Sequence, residues 1–284
     1  MLGIVIVSYK NFKGTVDFIT KELKKITLPW KVVVVDNCSD SILGEKLAEA
    51  CNGICVQKQE TITDTNKSVF VLPVKENLGF ARGNNLGANF LIRNFNCEHL
   101  LFTNDDILIE EPDGIQKMID FLNQNEDVGA IGPRVIGIDG FDQSPHYRII
   151  TPVRQLGWKL LPFVRKKSKK DSNDTIYNTP QSSYCYWVSG CFFIMKCKDF
   201  IEVKGLDPST FLYAEEVILA ERLKSIGKRE YFYGETHIVH YGGCSTKSIE
   251  NKQLKRILKE SNCIYYRKYL HCNPIIVWLY KLIC

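Results

Sequence analysis

The chain has 284 residues, of which 45% are hydrophobic and 24% are charged, the balance of a globular protein rather than of a disordered chain. Its net charge of +5 is a mild excess, and no nucleic-acid-binding motif accompanies it, so nucleic acid is not an expected partner. No run of eighteen apolar residues is present, which argues against a membrane-spanning helix.

The chain begins with MLGIVIVS, which carries no basic region and no cleavage-type site, so it predicts a strand rather than a signal peptide. The eleven cysteines include no CxxC pair, which argues against a zinc ribbon. We therefore expect a cytoplasmic protein whose thiols are reduced and serve mainly as small core side chains.

The first half of the chain alternates between strand-like and helix-like segments. Strands are predicted over residues 3–8, 31–35, 69–74, 99–103 and 128–131, and helices over 12–26, 79–94 and 113–123. This alternation predicts an α/β fold with a mostly parallel central sheet flanked by helices.

The second half is less regular. Residues 139–183, which include the basic run RKKSKK at 165–170, predict an irregular insertion. After it we expect strands over 184–195, 229–233 and 236–240, a helix over 215–226 and a basic helix over 251–270. The chain therefore divides into a domain of residues 1–245, with halves at 1–135 and 184–245 around the insertion, and a C-terminal helical extension at 246–284.

Polar residues follow three of the predicted strands. In a parallel sheet these strand ends lie on one rim, where ligands of open α/β sheets bind. The residues are Ser8 and Tyr9 after the first strand, Asp36 and Asn37 after the second, and Asn104, Asp105 and Asp106 after the fourth.

The acidic turn at residues 104–106 suits a hard divalent cation such as Mg²⁺ or Mn²⁺. Side chains alternate in an extended chain, so Asn104 and Asp106 share a face and Asp106 is the predicted ligand. The alternative is a turn or cap cluster before the helix at residue 113. Asp36 would accept hydrogen bonds from a base or ribose, unless it only forms an Asx turn.

Residues 77–87, NLGFARGNNLG, form a glycine-rich segment that is not GxGxxG, which weakens a dinucleotide-binding interpretation. Glycines four residues apart share one helix face and admit either a ligand or a closely packed sheet. Asn84 and Asn85 beside them are more polar than packing requires.

Two further motifs carry ionisable groups. Glu215 and Glu216 begin a predicted helix, where they either interact with the helix dipole or act as a general base. Arg222 lies on the same face as Glu215 and would pair with that carboxylate or with a phosphate. His240 precedes two glycines and is either structural or a ligand of metal or phosphate.

In this order, the motifs resemble those of family-two glycosyltransferases with the A-type nucleotide-sugar fold, which is Rossmann-like, and particularly the rhamnosyltransferase-like branch. The resemblance covers residues 3–245 and includes VIVSY at 5–9, DNCSD at 36–40, NLGFARGNN at 77–85, NDD at 104–106, FLYAEE at 211–216 and HYGG at 240–243.

The resemblance implies a nucleotide-sugar donor and an inverting transfer. Asp36 would contact the base, Asp106 would bind Mn²⁺ or Mg²⁺ at the donor diphosphate, and Glu216 would be the catalytic base. His240 would lie on the metal or diphosphate side. The remaining candidates are Glu215 beside the base and, for the donor, Ser8, Tyr9, Asn37, Asn77, Gly79, Arg82, Gly83, Asn84, Asn104, Asp105 and Arg222.

This chain departs from the family pattern at two positions. Asn104 stands where Asp is frequent, and Glu216 stands where Asp is favoured, which moves the carboxylate by about one ångström. The branch suggests dTDP-rhamnose as donor, with UDP- and GDP-sugars open, and a glycan or lipid-linked acceptor in surface polysaccharide synthesis.

A membrane contact is also expected. Residues 156–163, LGWKLLPF, run into the basic cluster at 165–170, and the tail carries Trp278 and Tyr280. Apolar, aromatic and basic residues together suit peripheral binding to an anionic membrane, on the inner face of the cell membrane. The alternative is a solvated loop and a tail docked on the core.

Three alternative functions have less support in the sequence. A sugar-nucleotide pyrophosphorylase would need a glycine- and basic-rich loop after the first strand, which SYKNF at residues 8–12 lacks. A non-catalytic, degenerate sugar-nucleotide-binding protein is favoured only by Asn104 and Glu216. A dehydrogenase would need the missing GxGxxG.

Overall fold

The computed structural model describes residues 1–57, 66–161, 181–242 and 251–284. In these ranges ten strands form one sheet: β1 Leu2–Tyr9, β2 Trp30–Asn37, β3 Ile54–Cys55, β4 Val69–Val74, β5 His99–Thr103, β6 Ile107–Ile109, β7 Val128–Gly137, β8 Ser183–Cys185, β9 Phe192–Lys196 and β10 Arg229–His240. The α-helices there are α1 Phe12–Asp17, α2 Ser41–Ala50, α3 Gly79–Asn94, α4 Asp113–Gln124, α5 Pro152–Leu160, α6 Cys197–Glu202, α7 Glu215–Ser225, α8 Asn251–Ile264 and α9 Pro274–Ile283. A π-helical turn at Phe18–Glu22 and a 3-10 turn at Leu23–Lys25 continue α1, and a π-helical turn at Tyr265–Tyr269 continues α8.

The strands lie in the order β3-β4-β2-β1-β5-β9-β7-β10-β6, and β8 pairs with β10. The half from β3 to β5 is parallel throughout, which confirms the predicted α/β fold with a central sheet. In the other half β9 runs antiparallel to both β5 and β7, while β7 and β10 are parallel. The sheet is therefore mixed where the second half of the chain joins it.

The core lies on both faces of the sheet. On β1, Ile4 and Ile6 face one apolar cluster, which includes Met118 of α4, while Val5 faces a second cluster with Leu91 of α3. A strand covered on both faces has no solvent side, which is why its sequence is a continuous apolar run rather than an alternating one.

Two strand predictions differ from the structure. The strand expected over 184–195 is interrupted between β8 and β9, where residues 186–191 turn toward the rim of the sheet. The two strands expected over 229–240 are one strand, β10, in which Tyr233 pairs with Pro133 and His237 with Arg134. Three residues bulge out between these pairs, and that irregularity gives the sequence its apparent break.

The irregular insertion predicted over 139–183 contains a helix. Thr151 caps α5 by accepting a hydrogen bond from the backbone N–H of Arg154, and Pro152 occupies the first turn, where its missing N–H costs nothing. The basic run at 165–170 lies outside the described residues. The described part of the C-terminal extension forms α8 and α9, which pack with α5 and α7 in a third apolar cluster. Across the described ranges, no helix combines the length and apolar character needed to cross a bilayer.

Candidate active site

A cavity of about 320 Å³ opens at the carboxyl ends of the parallel strands. Its volume falls in the range of small-molecule sites in proteins, about 300–1,000 Å³. Its lining residues come from seven separate segments: Val7, Tyr9, Asn37, Asn77, Gly79, Phe80, Asn104, Asp106, Ser189, Gly190, Cys191, Phe211, Leu212, Tyr213, Glu215, Glu216 and His240. Only a folded chain brings these segments together, and nine of the predicted site residues are among them.

Strand register brings the polar strand ends together. Tyr9 at the end of β1 lies opposite Asn37 at the end of β2, and the turn at residues 104–106 follows β5 beside β1. The side-chain oxygen of Asn37 accepts a hydrogen bond from the backbone N–H of Leu78, at 3.3 Å. This bond ties the second strand end to the glycine-rich segment that begins α3.

Asp106 and His240 form a pair at one end of the cavity. β6, which follows Asp106 directly, pairs antiparallel with the end of β10, so Ile107 lies opposite His240. Asp106 Oδ1 is 3.3 Å from His240 Nε2, and His240 Nδ1 is 2.8 Å from Gln143 Oε1. Burial opposes the charged imidazole, but contacts with Asp106 and Cys191 raise the pKa of His240 to about 10.

The Asp106–His240 pair fits a divalent cation. Adjacent ligands of an octahedral ion with bonds of about 2.0–2.1 Å lie about 3 Å apart, close to the observed 3.3 Å. Gln143 can accept the Nδ1 hydrogen, and a cation that binds in place of the Nε2 proton would use the lone pair that this proton leaves. The described residues hold no group of three or more His, Cys, Asp or Glu side chains suited to a metal, so phosphate and water oxygens would complete the shell.

Two further carboxyl groups, Glu215 and Glu216, line the cavity from the first turn of α7. Glu215 is almost fully buried. Burial raises the pKa of both carboxyl groups, and their proximity raises the pKa of Glu215 further. A carboxyl group whose pKa is raised toward neutrality is a better proton acceptor for a hydroxyl group than an ordinary solvated carboxylate.

The backbone around these carboxyl groups is unusual. Tyr213 and Ala214, directly before α7, both have left-handed conformations with φ of 74° and 66°. Such residues cost about 1–3 kcal/mol each and persist only where the surrounding structure holds them. Across the cavity, the backbone N–H of Gly190 donates to the Glu216 carboxylate, and a β-carbon at Gly190 would lie only 2.6 Å from Glu216 Oε1.

A family model described as glycosyl transferase family 2 matches residues 3–196, more than half of the chain. The chain belongs to glycosyl transferase family 2. This glycosyltransferase is also 23% identical over 280 residues to "Rhamnosyltransferase WbbL" of Escherichia coli (strain K12), and the match covers 96% of each chain. The predicted family resemblance is thereby confirmed.

Solved glycosyltransferase structures share the fold of this family 2 chain. GalNAc-T7, crystallised with UDP, GalNAc and Mn²⁺, superposes with a TM-score of 0.61 at 13% identity, over 100% of this chain and 54% of that chain. The mannosyltransferase PcManGT from Pyrobaculum calidifontis, in complex with GDP-Man and Mn²⁺, gives 0.57 at 13% identity, over 99% and 68%. This chain thus spans about half the length of GalNAc-T7, and the predicted A-type glycosyltransferase fold is confirmed.

Some predicted site residues do not face the cavity of this glycosyltransferase. Asp105 is buried beneath it and accepts a hydrogen bond from the Thr15 hydroxyl at 2.6 Å. Ser8 is equally buried, with its hydroxyl 2.7 Å from that of Thr15. Burial raises the pKa of Asp105, although the Thr15 bond opposes the shift. In the structure these two residues join β1, α1 and the acidic turn rather than facing the cavity.

The remaining donor candidates also have structural partners. Arg82 Nε donates to the carbonyl of Pro208 at 2.9 Å, and the Asn84 amide donates to the carbonyl of Phe80 at 3.0 Å. Gly83 packs against β1, since a β-carbon there would lie 2.9 Å from Val7. Asp36 lies half-buried at the end of β2, where burial raises its pKa.

Arg222 does not meet Glu215, the carboxylate suggested for it from helix periodicity. Its guanidinium donates instead to the Tyr269 hydroxyl at 2.9 Å and to the Gly205 carbonyl at 2.7 Å, and it lies 3.7 Å from Asp207. Arg222 therefore joins α7 to the segment after α6 and to the wide turn that follows α8.

Several lining residues were not among the sequence candidates. Cys191 and the Ser189–Gly190 turn face the cavity because β8 and β9 are separate strands. Phe80, Leu212 and Tyr213 supply apolar and aromatic walls. Two kinds of signal were available: Phe80, Leu212 and Tyr213 lie within motifs of the family resemblance. Gly190 is a glycine inside what was predicted to be a strand, which commonly marks a bend or a close approach.

Proposed function

We propose that this family 2 glycosyltransferase transfers a sugar from a nucleotide-sugar donor to a hydroxyl group of its acceptor, with inversion at the anomeric carbon. One observation carries the proposal. The Asp106–His240 pair and the Glu215–Glu216 pair line the same cavity. This arrangement suits a donor whose diphosphate lies at the first pair while its acceptor approaches the second.

Asp106 and His240 would hold Mn²⁺ or Mg²⁺, and Asn104 beside them contributes an amide oxygen to the same wall. When bound, such a cation neutralises negative charge on a leaving diphosphate. The structures of both relatives contain Mn²⁺, which supports a metal-dependent site here. Tyr9, Asn37 and Asn77 lie along the remaining rim, where the nucleoside would be held.

Glu216 is the proposed base. It would accept the proton of the acceptor hydroxyl while that oxygen forms a bond to the anomeric carbon and the bond from that carbon to the diphosphate breaks. The Gly190 N–H fixes the carboxylate, and burial keeps its pKa above the ordinary value. Glu215 would keep its proton more readily than an exposed carboxyl group does, and this would limit the negative charge of the pair.

The proposed acceptor is a glycan or lipid-linked oligosaccharide in surface polysaccharide synthesis, and dTDP-rhamnose is the first donor to test because of the likeness to the rhamnosyltransferase. We also propose a cytoplasmic protein in peripheral contact with an anionic membrane. The ten cysteines of the described residues are free thiols, as is typical of a reducing compartment.

The test is a thermal-shift screen of dTDP-, UDP- and GDP-sugars with and without Mn²⁺, followed by an assay of donor hydrolysis and sugar transfer. We expect one donor to stabilise the protein only with Mn²⁺. Asp106→Ala should abolish that stabilisation, and Glu216→Gln should preserve it while removing turnover. Donor binding without turnover in the unaltered protein would instead support a non-catalytic sugar-nucleotide-binding protein, and full activity in either variant would contradict the role given to that residue.

A further inference from the structure

Helix α9 is apolar on two opposite faces. Its inner face places Val277 and Tyr280 in the third apolar cluster, with Cys284 packed beside them. Its outer face carries apolar residues at the spacing i, i+3, i+4 and i+7, which is one side of a helix. These residues are 36% to 67% exposed: Ile275, Trp278, Leu279 and Leu282.

Helix α5 packs beside α9 and also carries exposed apolar residues. Its inner side is held by Leu156, which packs on the third cluster, and by Gln155, which donates to the Tyr266 hydroxyl at 2.8 Å. Val153 and Leu160 are largely exposed and lie seven residues apart, on one side of the helix. Several large apolar side chains exposed on two packed helices are typical of an interaction site in a folded protein.

The charges on α5 and α9 are all positive, and the one acidic residue of the neighbouring α8, Glu260, is paired with Arg256. Neither α5 nor α9 contains an acidic residue, while they carry Arg154, Lys159 and Lys281. Lys259 of α8 adds a further cation at the edge, where its ammonium donates to the carbonyl of Lys281 at 3.0 Å. Exposed aliphatic side chains, a tryptophan and a rim of basic residues are the combination that binds the interface of an anionic bilayer.

We propose that the outer faces of α5 and α9 form a docking surface for an anionic membrane. The inference deepens the proposed function, on which it rests, because it places the acceptor in a lipid surface. A second copy of this chain would bring two basic rims together, so the charge distribution favours phospholipid over self-association.

The docking surface is joined to the cavity by direct contacts. Ser261 of α8 donates through its hydroxyl to the carbonyl of Leu212 at 2.8 Å, and Leu212 lines the cavity. Ala214 and Ile218, on either side of the catalytic glutamates, belong to the same apolar cluster as Tyr280 of α9. A membrane bound to α9 would therefore lie on the helices that support the acceptor side of the site.

The experiment is flotation of the full chain with vesicles of phosphatidylcholine alone or mixed with phosphatidylglycerol, at low and high salt. We expect binding to the mixed vesicles that weakens with salt. Trp278→Ser with Leu282→Ser should weaken binding by about a hundredfold, or about tenfold for each apolar side chain. Lys159→Glu with Lys281→Glu should weaken binding by at least about 25-fold, or about fivefold for each basic residue.

The matched control is Ile42→Ser with Lys46→Glu on α2. Ile42 is 61% exposed, the same as Leu282, and Lys46 is also exposed. This control should bind vesicles as the unaltered protein does, and circular dichroism should show all variants folded. Equal binding by all variants, or no binding to anionic vesicles, would overturn the proposal.

Two further measurements separate the possible failures. Light scattering that showed a dimer, lost in the Trp278 and Leu282 variant, would identify a second copy as the occupant and overturn the membrane proposal. Hydrolysis of the donor without lipid should be unchanged in the docking variants. Vesicle binding without turnover of any donor would contradict the proposed function but would support the membrane-docking surface.

Discussion

Replacing Gly190 with alanine tests how closely the cavity controls the proposed base. The new β-carbon would lie 2.6 Å from Glu216 Oε1, whereas ordinary contact begins at 3.4 Å, so the carboxylate must move by about 0.8 Å. Misplacement of a reacting group by about one ångström costs roughly a hundredfold in rate. That factor corresponds to about 2.7 kcal/mol of transition-state free energy.

The effect should fall on turnover rather than on stability. Gly190 does not have the left-handed backbone that favours glycine, and the nearest atoms to the added carbon all belong to the Glu216 side chain. We expect kcat for sugar transfer to fall about a hundredfold, with the melting temperature and the donor-induced thermal shift nearly unchanged. Gly157→Ala on α5 is the control, because a β-carbon there meets nothing within 4 Å.

A second substitution makes the prediction specific. Glu216→Asp shortens the side chain by one methylene, which makes room for the alanine methyl group at position 190. In a double-mutant cycle the combination should be more active than Gly190→Ala alone, with a coupling free energy of about 1 kcal/mol or more. Full activity of Gly190→Ala, or strictly additive losses, would refute the positioning of Glu216 by this contact.

Three further predictions separate groups in the cavity from groups that support it. Asp105→Ala should lower the free energy of unfolding by about 1–3 kcal/mol because it removes a buried hydrogen-bond partner of Thr15, and urea titration should show no such loss in Asp106→Ala. Arg222→Met should lower the melting temperature without changing the KM for the donor; a raised KM at unchanged stability would restore Arg222 as a donor contact. Glu230 accepts from the backbone N–H of Val188 at 2.7 Å, and burial raises its pKa well above the ordinary value. Its stabilising contribution is thus full at acidic pH and is lost as pH rises through the raised pKa. Glu230→Gln, which keeps the acceptor, should therefore gain stability over the unaltered protein in urea between pH 5 and pH 8, and an equal difference at both pH values would contradict this account.

Local sequence signals predicted much of the fold. α3 begins and ends at the predicted residues, Gly79 and Asn94, and Gly79 at its start has a left-handed φ of 74°, which favours glycine. The alternation of side chains after β5 separates Asp106, in the cavity, from Asp105, buried beneath it. Both outcomes depend on backbone geometry within a few residues.

Other parts of the site depend on contacts between distant segments. The Thr15–Asp105 bond joins residues ninety positions apart, and nothing in either local sequence indicates it. Cys191 reaches the cavity only because β9 runs antiparallel between β5 and β7. Helix periodicity places Arg222 on the same face as Glu215, so the sequence predicted an ion pair with that carboxylate or with a phosphate. In the structure Arg222 lies beside Asp207 instead, because the chain after α6 folds back across that face of α7.

The strained residues before α7 explain why the C-terminal helices belong to the site although none of their side chains lines the cavity. Tyr213 and Ala214 can keep left-handed conformations only if neighbouring contacts hold them. The Phe211 carbonyl accepts from the Phe80 N–H, and the Leu212 carbonyl accepts from Ser261 of α8. The segment that leads into the glutamates is thus held by one bond from α3 and one from α8. Burial of Ala214 in the cluster that also holds the inner face of α9 links the orientation of Glu216 to the helix that we propose meets the membrane.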